Sequence, residues 1–377
     1  MKKMHCHLAF ALLAFLLLPS CREDRVEINT VADFELFVAE EMESQRIPAL
    51  SALIFKEENI LYEHYFGYAN IQQQLALADD HLFLLASISK VVTATALLQL
   101  HEAGHFGLDD LINDYLPFAV NIPGYSKGVT FRMLLTHTSA IADNDPVLDG
   151  QYYYGQDPPV SLSFFITNYL ASGGAFYDAD ENFYDFEPGT EYEYSNIGSA
   201  LIGLLVEEVS GMDFNTYCQQ RIFAPLGMEH TAWRLDEIAQ TIVTPYDYLA
   251  GQNRPIPHYT NADYPNGGLR STARDMFKLL SALALGGQAG NYRLLSQATV
   301  NAMMTPQIPA IDDEVGLHFF LMDHQNNLWG HDGGEQGVAT IMAFNPATKT
   351  GALIFANQGE ADLDEILAAA YELGQKL

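Results

Sequence analysis

Short strand-like runs lie near both ends of the chain, and a long, mainly helical middle separates them. The runs at 49–56 and 60–68 flank Glu57-Glu58-Asn59, which is typical of a hairpin. Strands near both termini can share one sheet if the chain returns to its starting point, so the pattern predicts an α+β fold. We expect an antiparallel sheet from both chain ends, flanked by helices, with a large helical insert. The other predicted strands are 328–330, 338–344 and 352–356, and the predicted helices include 31–46, 87–103 and 360–374.

The first twenty residues have the features of a secretory signal. Two lysines precede an apolar run, 8–18, which is too short to span a bilayer. Residues 18–21, Leu-Pro-Ser-Cys, then resemble the cleavage box of bacterial lipoproteins. We predict a signal peptide at 1–20, lipidation at Cys21, a tether at 21–30 and one domain at 31–377. The predicted location is the bacterial envelope, where the lipid anchor is the membrane attachment; an ordinary secretory signal is the alternative.

The charge balance excludes some partners. The chain has 48 acidic and 18 basic residues and a net charge of −30, which becomes −32 once Lys2 and Lys3 leave with the signal. A nucleic-acid-binding protein needs a basic face that displaces counterions from phosphates. We therefore expect neither nucleic-acid binding nor electrostatic docking on anionic lipid. Cys218, the one cysteine left after Cys21 is lipidated, is predicted to be a small core residue.

Ser87-Ile88-Ser89-Lys90 is the first candidate for chemistry. On a helix this spacing places Ser87 and Lys90 on one face, a turn apart. A serine hydroxyl becomes a nucleophile when a nearby group accepts its proton, and a lysine can do so only if burial or cationic neighbours keep it neutral. The pair by itself is a weak signal, because serine and lysine occur at this spacing in many helices.

Two further motifs carry groups that suit carbonyl chemistry. In Tyr194-Ser195-Asn196 the phenol can act as a base, and the amide of Asn196 can orient a substrate carbonyl or amide. In His331-Asp332-Gly333-Gly334 the glycines let the backbone approach a ligand and present bare N–H groups. A strand edge of this kind can supply half of an oxyanion hole.

These motifs, in this order, resemble those of the serine β-lactamase and penicillin-binding-protein superfamily. Residues 131–139, 222–228 and 267–273 also resemble the signatures of its class C-related branch of β-lactamases, esterases and D-amino-acid peptidases. The resemblance covers about residues 31 to 375 and implies a β-lactamase/transpeptidase-like fold. It implies a serine hydrolase that acts on a small-molecule or peptide substrate through an acyl-enzyme, with no metal and no cofactor.

The resemblance also implies a role for each candidate residue. Ser87 corresponds to the nucleophile, Lys90 to its proton partner, Tyr194 to the second base and Asn196 to the asparagine of Tyr-x-Asn. The backbone N–H groups of Ser87 and Gly334 would form the oxyanion hole, and His331 with Gly333 matches a His-x-Gly variant of the family's Lys-Thr-Gly motif. Because His331 replaces a fixed positive charge, we expect an ester or a D-amino-acid or cell-wall-type amide as substrate in preference to a β-lactam.

Two other functions compete with this interpretation. His101-Glu102-Ala103-Gly104-His105 is a literal H-E-x-x-H, which on a helix can bind zinc and activate water. Gly104 interrupts the motif, and the zinc metallopeptidase remains the alternative from another enzyme class. A lipoprotein that keeps the fold but only binds a ligand is the third hypothesis.

Several other residues have open or structural interpretations. Tyr152-Tyr153-Tyr154 and the segment 176–186 either wall the substrate cleft or pack on the helical insert. His137 and Ser139 are predicted to hold the helix that contains Arg132, and Arg132 is expected to form a buried pair.

Overall fold

The computed structural model describes residues 27–377, so the predicted signal peptide and the predicted lipidation at Cys21 fall outside the described residues. The first elements are α1 (Val31–Gln45), β1 (Ala49–Lys56), β2 (Asn59–Asn70) and β3 (Leu75–Ala76). Helix α1 begins at a capping box in which the Thr30 side chain accepts from Asp33 N and the Asp33 carboxylate accepts from Thr30 N. Hence the predicted helix and hairpin are present.

The middle of the chain alternates helices with long loops, as predicted. Its helices are α2 (Ser89–Glu102), α3 (Phe131–Leu135), α4 (Asp145–Leu148), α5 (Leu162–Leu170), α6 (Asn196–Ser210), α7 (Phe214–Cys218), α8 (Ala224–Leu226), α9 (Ala273–Ala284) and α10 (Gln297–Met303). Its short strands are β4 (Phe83–Leu84), β5 (Tyr152–Tyr154), β6 (Thr231–Ala232), β7 (Tyr246–Leu249), β8 (Gln252–Pro255), β9 (Tyr259–Asn261), β10 (Arg270–Ser271), β11 (Gln288–Ala289) and β12 (Tyr292–Arg293).

The last part of the chain completes the main sheet. It comprises β13 (Phe320–Asp323), β14 (Leu328–Glu335), β15 (Val338–Phe344), β16 (Thr350–Ala356) and α11 (Asp364–Lys376). The sheet has seven strands in the order β13-β14-β15-β16-β1-β2-β3, and each pair is antiparallel. Strand β1 from one chain end pairs with β16 from the other, with Leu53 opposite Leu353. The antiparallel sheet from both chain ends is therefore confirmed.

The central strands β1, β15 and β16 are buried on both faces, which explains their apolar runs. Along β1, Leu53 and Phe55 pack in a core shared with the helical insert. Leu50 and Ile54 point to the opposite core, which is closed by α1 and α11. Because strand side chains alternate between faces, a strand covered on both sides reads as continuously hydrophobic.

Helix α2 is the buried axis of the insert. Eleven of its fourteen residues are buried, and the helix is apolar on nearly every side, as expected for a helix surrounded by protein. A 3-10 turn, Ala86–Ile88, precedes it and carries Ser87. Within residues 27–377, no helix combines the length and the apolar character needed to cross a membrane.

Candidate active site

Ser87 lies in the 3-10 turn before α2, and Lys90 is the second residue of α2. The Lys90 ammonium nitrogen is 3.0 Å from Ser87 Oγ. Lys90 is completely buried, and its nitrogen also donates to Asn196 Oδ1 at 2.7 Å and to the backbone carbonyl of Asn266 at 2.8 Å. The spacing predicted from the sequence therefore places a serine hydroxyl in hydrogen-bond contact with a buried lysine.

Burial controls the charge of this lysine. Loss of hydration lowers the pKa of Lys90 to about 7, although the negative charges of Asp143, Asp263, Glu335 and Asp332 act in the opposite direction. A buried ammonium loses more hydration energy than these carboxylates return. A large fraction of Lys90 is consequently neutral near pH 7 and able to accept the Ser87 proton.

Tyr194 lies beside the Ser87–Lys90 pair, in the loop that enters α6. The Lys90 nitrogen is 4.9 Å from the centre of the Tyr194 ring. The hydroxyl oxygen is buried, and burial raises the pKa of Tyr194 well above its ordinary value, while the neighbouring Ser87 hydroxyl acts the other way. The phenol is thus protonated at neutral pH. It must first donate its proton, and only the resulting phenolate can act as a base.

Asp143 holds Asn196 in place, and the sequence motifs did not predict this role. Its carboxylate accepts from the backbone N–H of Asn196 and of Ile197 and from Asn196 Nδ2, each at 2.9 Å. An acid at a helix N-terminus satisfies free backbone donors, and here it also orients the amide that contacts Lys90. Asp143 lies outside every motif, so only its position after the 131–139 segment connected it with the site.

His331, Gly333 and Gly334 lie on β14 itself, whereas the sequence placed the motif before a strand. Strand β13 pairs only with the first part of β14, Leu328–Gly330, so the following residues have an open edge toward the Ser87 turn. A Cβ added to Gly333 would be 2.9 Å from Ser87 N and 2.7 Å from the Leu85 carbonyl oxygen, whereas a Cβ on Gly334 would enter open space. Strand β14 therefore passes close to the Ser87 turn at Gly333, and the oxyanion-hole role of the Ser87 and Gly334 N–H groups stays a prediction.

His331 is buried beneath this edge. Burial lowers its pKa to about 4, so the imidazole is neutral at pH 7. His137 and His318 are buried nearby, with the rings of His137 and His318 centred 4.7 Å apart and His137 stacked on Tyr194 at 4.3 Å. Loss of hydration holds the pKa of both well below the ordinary value. The wall behind Tyr194 is thus a set of uncharged imidazoles.

The predicted roles of His137 and Ser139 need correction. His137 Nδ1 accepts from the backbone N–H of Ser195 at 3.1 Å, and Ser139 Oγ accepts from Ile141 N at 3.3 Å. Both side chains therefore fix loops next to Tyr194 and do not hold α3. Arg132 does form a pair, but its partner Asp109 is exposed, at 2.7 Å, and the arginine is only partly buried.

A cleft of about 90 Å³ opens in front of Ser87. Its lining residues are Ala86, Ser87, Leu148, Tyr152, Asn196, Asn261, Asp263, Asn266, Gly267, Gly334 and Glu335. Tyr152 does wall the cleft and donates to both Glu335 oxygens, at 3.0 and 2.9 Å. In the 176–186 segment, by contrast, Phe183 and Phe186 pack in the core of the insert.

The arrangement required for zinc is not formed by the H-E-x-x-H segment. Helix α2 ends at Glu102, so His105 does not follow His101 on one helical face. His101 Nδ1 lies 2.9 Å from the Phe106 carbonyl oxygen, and Glu102 accepts from Ser296 N at 2.7 Å. Among residues 27–377, no group of three potential metal ligands comes together.

Comparison with known proteins agrees with this geometry. The family model described as Beta-lactamase matches residues 34–375. Penicillin-binding protein 4* of Bacillus subtilis (strain 168) is 29% identical over 307 residues, which cover 75% of this chain and 62% of that protein. The chain thus spans about three fifths of the length of this relative.

Solved structures share the fold. A penicillin-binding protein from Bacillus halodurans superimposes with a TM-score of 0.70 at 27% identity, over 88% of this chain and 97% of that one. A class C β-lactamase gives a TM-score of 0.70 at 20% identity, over 95% of this chain and 98% of that one. The predicted resemblance to serine β-lactamases and penicillin-binding proteins is confirmed, as is the β-lactamase/transpeptidase-like fold.

Proposed function

The chain belongs to the Beta-lactamase family, and on this basis we propose that it is a serine hydrolase that forms an acyl-enzyme at Ser87. The observation that carries the proposal is the 3.0 Å contact between Ser87 Oγ and a lysine whose pKa is lowered to about 7 by burial. A base with a pKa near the working pH combines availability with proton affinity.

In the proposed reaction, neutral Lys90 takes the proton of Ser87 while Oγ attacks the substrate carbonyl. The N–H groups of Ser87 and Gly334 would hold the oxyanion, and Tyr194 would protonate the leaving group. Lys90 then returns its proton to Tyr194. In the second half of the reaction, neutral Lys90 takes a proton from a water molecule while the water oxygen attacks the acyl carbonyl. Tyr194 protonates Ser87 Oγ as the acyl–oxygen bond breaks, and Lys90 returns its proton to Tyr194, which releases the acid and restores Ser87.

We propose an ester or a D-amino-acid or cell-wall-type amide as the substrate in preference to a β-lactam. His331 is neutral at the position where the family motif has a lysine. The residues that line the Ser87 cleft include the carboxylates of Asp263 and Glu335 and no Lys or Arg. An anionic substrate group would therefore find no fixed positive charge in this cleft.

Labelling with a fluorescent fluorophosphonate tests the nucleophile. Ser87→Ala should abolish labelling, whereas Ser89→Ala should keep it, because the Ser89 hydroxyl already accepts from Leu269 N at 3.0 Å and is not next to the lysine nitrogen. Equal labelling of wild type and Ser87→Ala contradicts the proposal.

Kinetics separate the substrate classes. Nitrocefin, p-nitrophenyl butyrate and a D-Ala peptide whose C-terminus is amidated, and which therefore has no carboxylate beside the scissile bond, should be compared under one set of conditions. Efficient nitrocefin turnover without ester or peptide hydrolysis would overturn the substrate preference. No turnover of any of the three, together with no labelling, would favour a protein that keeps the fold and only binds.

We further propose that the chain is exported and anchored through a lipid on Cys21. The support is the leader composition and the 18–21 box. Metabolic incorporation of a fatty-acid probe into the wild type and not into Cys21→Ser would support it, and equal incorporation would refute it.

A further inference from the structure

A second cavity, here called the Trp233 cavity, has a volume of about 400 Å³ and shares no lining residue with the Ser87 cleft. It lies among the loop before α5, the end of α6, the start of α7 and the segments around Trp233 and Tyr264. Its lining residues are Asp157, Pro158, Val160, Ser161, Leu162, Glu207, Glu208, Gly211, Met212, Asp213, Trp233, Arg234, Thr260 and Tyr264.

The carboxylate of Glu207 lines this cavity, and Arg234 of the same lining, which pairs with Asp213, acts on it without an ion pair and in the direction that lowers its pKa. Glu207 is half-buried and accepts from Phe214 N at 3.0 Å, and no Lys, Arg or His of residues 27–377 forms an ion pair with it. Burial raises the pKa of Glu207 to about 7, and Asp213 and Glu208 add to this effect. A desolvated carboxylate next to like charges is stabilised by a cation that enters the cavity.

A buried donor without a partner lies at the same cavity. Tyr264 is 8% exposed, and its hydroxyl is buried with no hydrogen-bond partner within residues 27–377. Tyr264 lines the cavity, and burial, with Asp213 and Glu207 next, raises the pKa of its hydroxyl, while Arg234 of the same lining acts the other way. Because buried polar groups are nearly always paired, an oxygen acceptor on a ligand is the natural partner.

The remaining wall is aromatic and apolar. Trp233 is 1% exposed, and its ring centre is 5.7 Å from that of Tyr264. Four carboxylates line the cavity against the single guanidinium of Arg234, which is 3.4 Å from Asp213. The net charge of the lining favours a cationic ligand over an anionic one.

We propose that the Trp233 cavity binds a small primary amine with a planar apolar body and an oxygen acceptor. The ammonium pairs with Glu207, the oxygen accepts from the Tyr264 hydroxyl, and the planar body packs against Pro158, Val160 and Met212, which line the cavity and are partly exposed. An ammonium beside a carboxylate gains both charge pairing and a charge-assisted hydrogen bond. This site is separate from the Ser87 cleft and does not depend on the hydrolase proposal.

Isothermal titration with tyramine tests the proposal. Tyramine should bind once per chain, and 4-ethylphenol, which has the same ring and oxygen without the ammonium, should bind at least about tenfold more weakly. Glu207→Gln should weaken tyramine binding by about tenfold or more, and Tyr264→Phe by about threefold to tenfold. Glu229→Gln, which neutralises an exposed carboxylate outside the cavity, should bind like the wild type.

Two controls locate the probe and verify the fold. The melting temperature of each variant shows whether weaker binding reflects a damaged structure. If Glu207→Gln has lost stability, Glu207→Asp takes its place at this position; it keeps the charge and should retain binding. Covalent modification of Ser87 should leave tyramine binding unchanged. Equal affinity of the wild type and Glu207→Gln, loss of binding after Ser87 modification, or no binding at millimolar tyramine would each overturn the proposal.

Discussion

Replacing Asp143 with Asn should move the acid limb of the pH–rate profile to lower pH. In the proposed mechanism the neutral form of Lys90 is the active one, so kcat/KM for p-nitrophenyl butyrate should rise with pH around a midpoint near 7, to which burial lowers the pKa of Lys90. Asp143 is the strongest of the negative groups that favour the ammonium form. Removing its charge therefore makes the neutral form available at lower pH.

The size of this effect follows from the distances. The Asn196 amide separates the two groups, with Nδ2 2.9 Å from Asp143 and Oδ1 2.7 Å from the Lys90 nitrogen. A charge separation of about 7 Å at an effective dielectric constant of about 20 corresponds to about 2 kcal/mol. The midpoint should consequently fall by about 1 to 2 pH units, since about 1.4 kcal/mol corresponds to one unit.

The measurement is kcat/KM from about pH 5 to 9 for the wild type, Asp143→Asn and the exposed control Asp80→Asn, which makes the same change in net charge. The amplitude of the Asp143→Asn profile is expected to drop, because Asn cannot accept from all the donors that Asp143 holds. The midpoint does not depend on the folded fraction. An unchanged midpoint, or activity that decreases as the pH rises through 7, would refute Lys90 as the base.

Three further predictions concern the surroundings of the site. Gly333→Ala should lower kcat by about 100-fold, because its Cβ would lie 2.9 Å from Ser87 N and would displace the Ser87 turn. In the control Gly334→Ala the Cβ meets no atom within 4 Å, so this variant should keep the wild-type melting temperature. Equal kcat in the wild type and Gly333→Ala would contradict this prediction. Burial lowers the pKa of His331 to about 4 from an ordinary 6.5. The free energy of unfolding should therefore be at its full value above pH 6.5 and should fall by about 3 kcal/mol as the pH decreases toward 4. Calorimetry should show a smaller decrease in His331→Asn. EDTA should leave hydrolysis unchanged, since His101 already contacts the Phe106 carbonyl oxygen; activity lost to EDTA and restored by zinc would contradict this.

The sequence predicted the fold best where hydrophobic patterning alone determines it. Strands β1 and β15 have the predicted bounds at both ends, because both faces of these strands are buried and the runs are uninterrupted. Strand β14 is longer than predicted, because Asp332 and the two glycines break its apolar pattern while the backbone continues to pair with β15. Backbone pairing can continue through residues of low strand propensity when a neighbouring strand is already in place.

The site could be predicted only as far as its motifs extend. The contact between Ser87 and Lys90 follows from their spacing of three residues. The structure also brings Tyr194, Asn196 and β14 close to this pair. Asp143 and the Asn266 carbonyl were not predictable, because each acts through a tertiary contact: Asn266 is 176 positions from Lys90 and provides a backbone oxygen that no side-chain pattern reveals. Contacts of this kind depend on how the insert folds over α2.

The chemistry of Lys90 depends on local burial prevailing over the acidity of the whole chain. A net charge of −30 favours the protonated form of any lysine, and four carboxylates act on Lys90 in that sense. The pKa of Lys90 is nevertheless lowered to about 7, because α2 is enclosed by protein. Three protein oxygens around the Lys90 nitrogen replace the water that would hydrate an exposed ammonium. Exposed charges are screened over about a Debye length, whereas desolvation is not. Activity should therefore respond weakly to salt at a fixed pH, and a strong salt dependence of the pH midpoint would mean that the surface charge reaches the site.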